Sequence, residues 1–378
     1  MKAVMLAGDC GYAQSPLRAF LPKGLWPVFD RPAASHLVHQ LLALGCDHVG
    51  ICANGDCRLF AEALDGCVRD ATALAFVEDE LPRGAAGCAA DAASKLGADR
   101  FLVLQTNMLW DRRLPEVLTH HLRSGADLTV VVTPDNNDTT LTPVGIYIFE
   151  PCVFDFIRST SYQDIKEQVI PDMIKAGRRV EAFVLPEGRV AWHDAGTYAE
   201  ALGRALASPQ RFGLSLDWMQ RVAPSVYVAP GAHISRSARI FGPAAVLSGA
   251  SIEPDAVLVG PVVVGPRSRV GRSAVVNESI LWSRVTIQKD SYVRRSVIGD
   301  GAAMSATVVD CFVAPSKGEH GRQRGHDHAG RSFLPPMSTE TGRQQRPDPV
   351  PIVWARDEPW RRPAEAEDRT EAMSVRGN

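Results

Sequence analysis

A strand, two glycines and a lysine near the N-terminus have the types and spacing to grip a phosphate. In MLAGDCGYAQSPLRAFLPKG, residues 5–24, an apolar stretch ends at Leu6 and Ala7, Gly8 and Gly11 follow, and Pro22-Lys23 closes the segment. Glycines carry no Cβ, so their backbone N–H groups can approach an anion closely. A lysine adds a point charge that phosphate oxygens accept. Asp9 sits between the glycines and adds like charge where an anion would be welcomed. A plain strand-to-helix turn uses the same two glycines, and Lys23 could equally be a solvated lysine. Further along, Asp194 precedes GTYAEALGRAL and is placed to cap a helix. His193 beside it and His233 are acid–base candidates, the latter as an acyltransferase-type base; the ordinary reading, a supporting or exposed histidine, is preferred for both. GHDHAG, residues 325–330, offers two histidines and an aspartate for a metal, or a solvated tail.

Three regions must position these residues. Residues 1–222 alternate short apolar strands with helical stretches. Strands are expected at 3–6, 48–53, 74–78, 101–105 and 127–132. Helices are expected at 34–45 and 87–97, with Gly45 and Gly97 as stops. Such alternation predicts an α/β fold, a doubly wound and mostly parallel sheet covered on both faces. Ligands in such sheets bind beyond the carboxyl ends of the strands, where residues 7–24 would lie.

Residues 226–313 change period. Aliphatic residues recur every six positions from Val228 through Ile234, Ile240, Val246 and Ile252 to Val276. Four positions after each sits a smaller side chain, such as Ala232, Ala238, Ala244 or Ala250. A six-residue period held this long predicts a hexapeptide solenoid, a left-handed parallel β-helix with three units per coil. The register is expected to loosen after Ile280, with 297–309 as a final coil. Residues 315–378 are rich in Arg, Pro, Glu and Gly, and are expected to be a disordered tail. Within it, 349–363 carries Trp354 and Trp360 and reads as a docking segment, for the chain's own surface or for a partner.

Composition narrows the classes. The 378 residues hold 41 Lys+Arg against 43 Asp+Glu, which gives no electrostatic case for nucleic-acid or membrane binding. No apolar run approaches a membrane span. The N-terminus lacks a leader pattern, so a cytoplasmic location is expected. None of the eight cysteines forms a CxxC pair; reduced, partly buried thiols are expected. The spacings of Cys46, Cys52, Cys57 and Cys67 match no zinc pattern.

Taken together, the chain resembles the sugar-1-phosphate nucleotidylyltransferases, also called nucleotide-sugar pyrophosphorylases, the mannose-1-phosphate guanylyltransferase type among them. The family's opening motif is L-A-G-G-x-G-T-R-L-x-P-L-T followed by P-K. The chain keeps its register from Leu6 to Arg18, then Pro22-Lys23. RGAAG (83–87) stands for G-T-A-G, WHDAGT (192–197) for W-x-D-x-G-T, and VGIYIFEP (144–151) and DIKEQVIPDMIKAG (164–177) agree as well. The match covers about 1–313.

The resemblance implies attack by a sugar phosphate on the α-phosphorus of a nucleoside triphosphate, aided by Mg²⁺ held by two aspartates. It places Leu6, Ala7, Gly8, Gly11, Lys23 and Gly84 at the nucleotide, Lys23 as the surviving catalytic cation, and Asn107 and Asp194 at the metal positions. Several residues depart from the pattern. Ala13 stands where the family has its clamp arginine, and Arg18 stands at a threonine position. Asn107, in FLVLQTN, replaces the first metal aspartate with an uncharged, weaker ligand. PDNNDTTLTP (134–143) runs at once into VGIYIFEP, so the family's sugar-binding segment is expected to be missing. The expected function is a catalytically degraded nucleotidylyltransferase-like protein of nucleotide-sugar metabolism. It would bind an NTP or nucleotide sugar weakly and regulate or scaffold, as a homo-oligomer or with an active paralogue. Two alternatives remain: an active transferase with an altered site, and a purely structural partner. Mg²⁺ is expected only if nucleotide binding or activity remains.

Overall fold

The computed structural model describes residues 1–7, 21–53, 55–67, 73–78, 83–97, 99–134, 141–185 and 190–313. Gly8, Asp9, Gly11, Ala13, Arg18, the 325–330 histidines and the 349–363 segment lie outside the described residues.

The first region runs β1 (Lys2–Leu6), α1 (Ala33–Ala43), β2 (His48–Cys52), α2 (Cys57–Leu64), β3 (Leu74–Val77), α3 (Gly84–Leu96), β4 (Phe101–Gln105), α4 (Leu114–Ser124), β5 (Leu128–Pro134), β6 (Leu141–Phe149), α5 (Ile170–Lys175), β7 (Val180–Val184) and α6 (Ala195–Ala207). The seven strands form one sheet in the order β7-β5-β6-β4-β1-β2-β3. All neighbours are parallel except β6, which runs antiparallel to both β4 and β5.

Strand alternation splits β1 between two cores. Ala3 and Met5 face Leu37, Val38 and Leu41 of α1 and Phe60 of α2. Val4 and Leu6 face Ala86, Ala89, Ala92 and Ala93 of α3. The alanines let α3 lie close: a Cβ on Gly50 of β2 would stand 3.1 Å from Leu96 and 3.4 Å from Ala92. Gly45 and Gly97 end their helices with positive φ, +94° and +86°. Lys2 donates to the carbonyls of Leu96 and Gly97, a cation at a helix C-terminus. Strands β5 and β6 pair down to Pro134↔Leu141, so only residues 135–140 join them. The expected short connection falls on these residues, which lie outside the described ones.

His36 of α1 bonds the Val28 carbonyl oxygen at 3.0 Å. Burial lowers its pKa, outweighing the Val28 carbonyl and Asp30, which raise it. A histidine depressed in the fold binds its proton more readily once unfolded. Its stabilising contribution is therefore complete above the unfolded value of about 6.5 and is lost as pH falls from there toward the folded value. Urea unfolding at a series of pH values between 7 and 5 should show stability declining, with a shallower slope in His36→Gln. An unchanged slope would remove His36 as the source.

From Gln220 the chain winds into a parallel β-helix. A short lead-in strand, Gln220–Ala223, pairs antiparallel with Val226–Val228, and three parallel ladders follow. Val246, Ile252, Leu258, Val264, Val270 and Val276 are all buried inside it, and Ala238, Ala244, Ala250, Ala256 and Ala274 fill its tight positions. The triangular, left-handed coil follows from the period. The expected loosening after Ile280 is instead a shortened coil. Ladder partners lie eighteen residues apart at Val246↔Val264, seventeen at Val264↔Leu281 and fifteen at Val297↔Phe312. The inward set continues through Leu281, Ile287, Val293 and Ile298. Buried serines take up the backbone groups at the shortened corners. Ser268 Oγ donates to Trp282 O at 2.7 Å and accepts from Val285 N at 3.0 Å. Ser279 and Ser296 donate within their own coil, to Asn277 O and Arg294 O, and accept from Ser296 N and Cys311 N of the next.

Helix α6 packs on one face of the β-helix. Tyr198, Ala201, Leu202 and Ala205 share a core with Tyr227, Ala245, Val263, Ile280 and Val297. A Cβ on Gly203 would stand 2.8 Å from Pro261, so the glycine sets how close the helix can lie. No helix among the described residues is long and apolar enough to cross a membrane.

Candidate functional site

The site begins at the carboxyl edge of the sheet. Ala7 N donates to Cys52 O at 2.8 Å, and Thr106 N donates to Leu6 O at 3.2 Å, so the ends of β1, β2 and β4 are tied together. Lys23–Leu25 forms a single 3-10 turn against this edge. A Cβ on Gly24 would stand 2.6 Å from Thr106 Cβ and even nearer its hydroxyl, so only glycine lets this turn seat. Lys23 is thereby held inward, 7% exposed.

A second contact brings Asn107 and Asp194 to the same place. Met108–Leu109 pairs antiparallel with Val190–Ala191. This two-residue ladder sets Asn107 opposite Trp192. Trp192 N donates to Asn107 O at 3.0 Å, and Asn107 Nδ2 donates to Trp192 O at 2.6 Å. The indole Nε1 of Trp192 donates to Lys23 O at 3.2 Å. One buried tryptophan thus holds both Lys23 and Asn107, two residues before Asp194.

Asp194 is the N-cap of α6. Its Oδ1 accepts from Thr197 N at 2.8 Å and from Thr197 Oγ1 at 2.7 Å, and Thr197 Oγ1 accepts from Asp194 N at 3.2 Å, a reciprocal capping box. Burial alone would raise its carboxyl pKa. The Thr197 bonds, with the charges of His193 and Lys23, outweigh that and hold it below the usual aspartate value. The structure gives Asp194 the capping role that its sequence position allows. His193 is exposed.

Gly84 opens α3 with φ +79°, and a Cβ there would stand 2.6 Å from Gln163 O. Ala86 N donates to Gln163 O at 3.2 Å and Gln163 N donates to Arg83 O at 2.8 Å. Gln163 itself is buried, bonded to Arg158 N and Phe156 O. Packing on Gln163 therefore accounts for the glycine at 84. Lys23, Asn107 and Asp194 come together through Trp192, Leu6 joins them through Thr106, and Ala7 is tied to the same edge through Cys52. Three partners were not singled out from the sequence: Gly24, Thr106 and Thr197. Thr197 had a readable signal, since a hydroxyl three residues after a capping aspartate completes the box.

The donor set does not fit a resident Mg²⁺. Mg²⁺ prefers several anionic or water oxygens in an octahedron. Asn107 is neutral, with its Nδ2 turned to Trp192 O, and one oxygen of Asp194 is committed to Thr197. Lys23 adds positive charge that reaches Asp194. Among the described residues no group of three or more His, Cys, Asp or Glu is placed to hold a metal. The arrangement sets a shielded lysine near a single carboxylate.

Comparison with known proteins agrees with the architecture. Residues 2–141 match the nucleotidyl transferase family and residues 240–310 the GMPPB C-terminal domain. The mannose-1-phosphate guanylyltransferase of Mycobacterium tuberculosis is 26% identical over 321 residues, covering 78% of this chain and 83% of that protein. The UTP–glucose-1-phosphate uridylyltransferase of Synechocystis is 25% identical, covering 84% of this chain and 94% of the relative. The glucose-1-phosphate thymidylyltransferase of Streptomyces griseus is 24% identical, covering 79% and 92%. An α/β sheet of this order, a parallel β-helix behind it and these matches on both parts lead to one assignment: the chain belongs to the sugar-1-phosphate nucleotidylyltransferase family of nucleotide-sugar metabolism.

Proposed function

We propose that this family member binds a nucleotide or nucleotide sugar weakly and has lost efficient nucleotidyl transfer, acting as a regulatory or scaffolding subunit. One observation carries the reading. The residue at the first metal position is a neutral amide whose nitrogen donates to the Trp192 carbonyl, and the second is a carboxylate with one oxygen in a helix cap. Nucleotidyl transfer spreads charge over the phosphates and needs it neutralised at fixed positions. Lys23 supplies one such charge; Ala13 in place of the clamp arginine supplies none. The six-residue connection 135–140 leaves no length for a sugar-holding segment between β5 and β6. Any Mg²⁺ would arrive on the nucleotide's phosphates, with Asp194 as its nearest carboxylate. The partner would be an active paralogue or a second copy, in the cytoplasm.

A second reading, a working transferase, has its own support. Relatives whose names are those of transferases align along more than three quarters of this chain.

Titration calorimetry with GTP, UTP and dTTP, paired with a pyrophosphate-release assay on mannose and glucose 1-phosphates with Mg²⁺, separates the two. Weak binding is expected with at least one nucleotide, reduced about tenfold by Lys23→Ala, the loss of roughly one charge-assisted contact at 1.4 kcal/mol per decade. Pyrophosphate release should stay at background. Turnover that disappears in Asp194→Ala would establish the transferase reading. No binding of any nucleotide would leave a structural partner.

A further inference from the structure

The β-helix presents three faces, and their outward residues differ in kind. The first face carries Tyr227, Ala245, Val263, Ile280 and Val297 into the core shared with α6. The second is polar: His233, Ser251, Arg269 and Thr286 stand outward along one ladder, and Arg269 pairs with Glu253. The third is built from Arg239–Phe241, Val257–Val259, Val275–Asn277, Tyr292–Arg294 and Val308–Val309. Ile240, Leu258, Val276, Val293 and Val308 point into the coil, so their neighbours point out. Register stacks these neighbours in two rows. One runs Arg239, Val257, Val275, Tyr292, and the other Phe241, Val259, Asn277, Arg294, Val309. Phe241, Val257, Val259, Val275, Tyr292 and Val309 are all half-exposed.

A mostly apolar sheet face, here interrupted by Arg239, Asn277 and Arg294, costs hydration free energy along its length and marks a docking surface. The polar second face shows that the coil itself does not require apolar residues outside. Arg294 Nε in the second row is shielded and has no hydrogen-bond partner among the described residues, so an acceptor is wanted there.

We propose that this third face is the docking site of the chain's own segment 349–363. The reach is sufficient. Val313 ends the last described strand, one corner beyond Val308–Val309 at the end of this face, and the chain continues to residue 378. The thirty-five residues 314–348 have the length to reach about 30–35 Å even by random-coil scaling. The five rungs cover only about 19 Å at the usual strand spacing. The chemistry matches as well. In PVPIVWARDEPWRRP, Val350, Ile352 and Trp354 alternate, and Asp357 and Glu358 lie between Trp354 and Trp360. The apolar side chains suit the valine rows, and although Arg356, Arg361 and Arg362 make the segment net positive, Asp357 and Glu358 give Arg239 and Arg294 acceptors. Pro349, Pro351 and Pro359 do no harm here. A segment lying on a sheet face contributes side chains rather than ladder hydrogen bonds, as in proline-rich recognition.

The test is hydroxyl-radical footprinting of the full chain against the full-length double variant Trp354→Ala/Trp360→Ala. Tyr292 and Phe241 should react several-fold faster in the variant, while Tyr227, covered by α6, stays unchanged. A second variant, Val275→Glu, should raise the oxidation of Trp354 and Trp360 in return. Equal rates for Tyr292 in both proteins would overturn the proposal. Protection of Tyr292 that grows with protein concentration and ignores the tryptophan variants would also overturn it, and would assign the face to a second copy.

Discussion

Trp192→Ala should lower stability by about 3–5 kcal/mol, as large buried aromatics do when truncated, and should abolish nucleotide binding. Trp192 has no exposed surface. Its ring packs on Tyr198 with centroids 5.7 Å apart, Tyr198 packs edge-on against Trp26 at 5.1 Å, and Trp26 lies 6.3 Å from Trp282 of the β-helix. Removing the indole therefore opens a cavity at the junction of the two parts of the molecule. The backbone of the same residue anchors Asn107, and its Nε1 fixes the carbonyl of Lys23. Trp192→Phe separates the two roles. It keeps most of the buried ring and deletes one hydrogen bond, while Trp26 N still donates to the Lys23 carbonyl at 3.3 Å, at a cost of about 0.5–1.5 kcal/mol. Chemical denaturation with nucleotide titration on each variant reads both effects. If Trp192→Phe binds nucleotide as the parent does while Lys23→Ala does not, the indole bond does not position the lysine.

The parts of this arrangement that repeat were legible in the sequence. The six-residue period gave the β-helix because each inward aliphatic obeys the same local rule, and the strand–helix alternation gave the sheet for the same reason. The antiparallel strand β6 was less visible. VGIYIF is a continuous apolar run, and such a run specifies burial but not direction. The shortened coils at Leu281 and Ile298 broke the period, and the serines that repair them look in sequence like ordinary turn residues. The site was legible only as separate letters. Lys23, Asn107 and Asp194 stand far apart in the chain, and the tryptophan that joins them acts through its backbone and one ring nitrogen. Gly24 was hidden for a related reason: its necessity lies in Thr106, more than eighty residues away, a contact no local pattern encodes.

Asn107→Asp restores the family's carboxylate, yet it should destabilise the free protein by about 1–3 kcal/mol, the cost of replacing a satisfied donor–acceptor pair with two facing acceptors. In the parent, Nδ2 lies 2.6 Å from the Trp192 carbonyl oxygen. An aspartate presents an oxygen there. Either it takes up a proton, which raises its pKa, or the Met108–Leu109 ladder with Val190–Ala191 opens. Magnesium then discriminates. The variant has two carboxylates flanking Trp192, so millimolar Mg²⁺ should recover part of the loss, because a ligand of the folded state stabilises it by mass action. The parent, with one carboxylate committed to its helix cap, should show no shift in Tm with Mg²⁺ alone. Stabilisation of the parent by Mg²⁺ without nucleotide would mean a resident metal site and would sink the reading of the donor set. Pyrophosphate release by the variant should remain at background. Repairing one charge restores neither the arginine missing at Ala13 nor any chain length between β5 and β6 to hold a sugar phosphate in line. Turnover gained by this substitution alone would instead place the whole defect at residue 107.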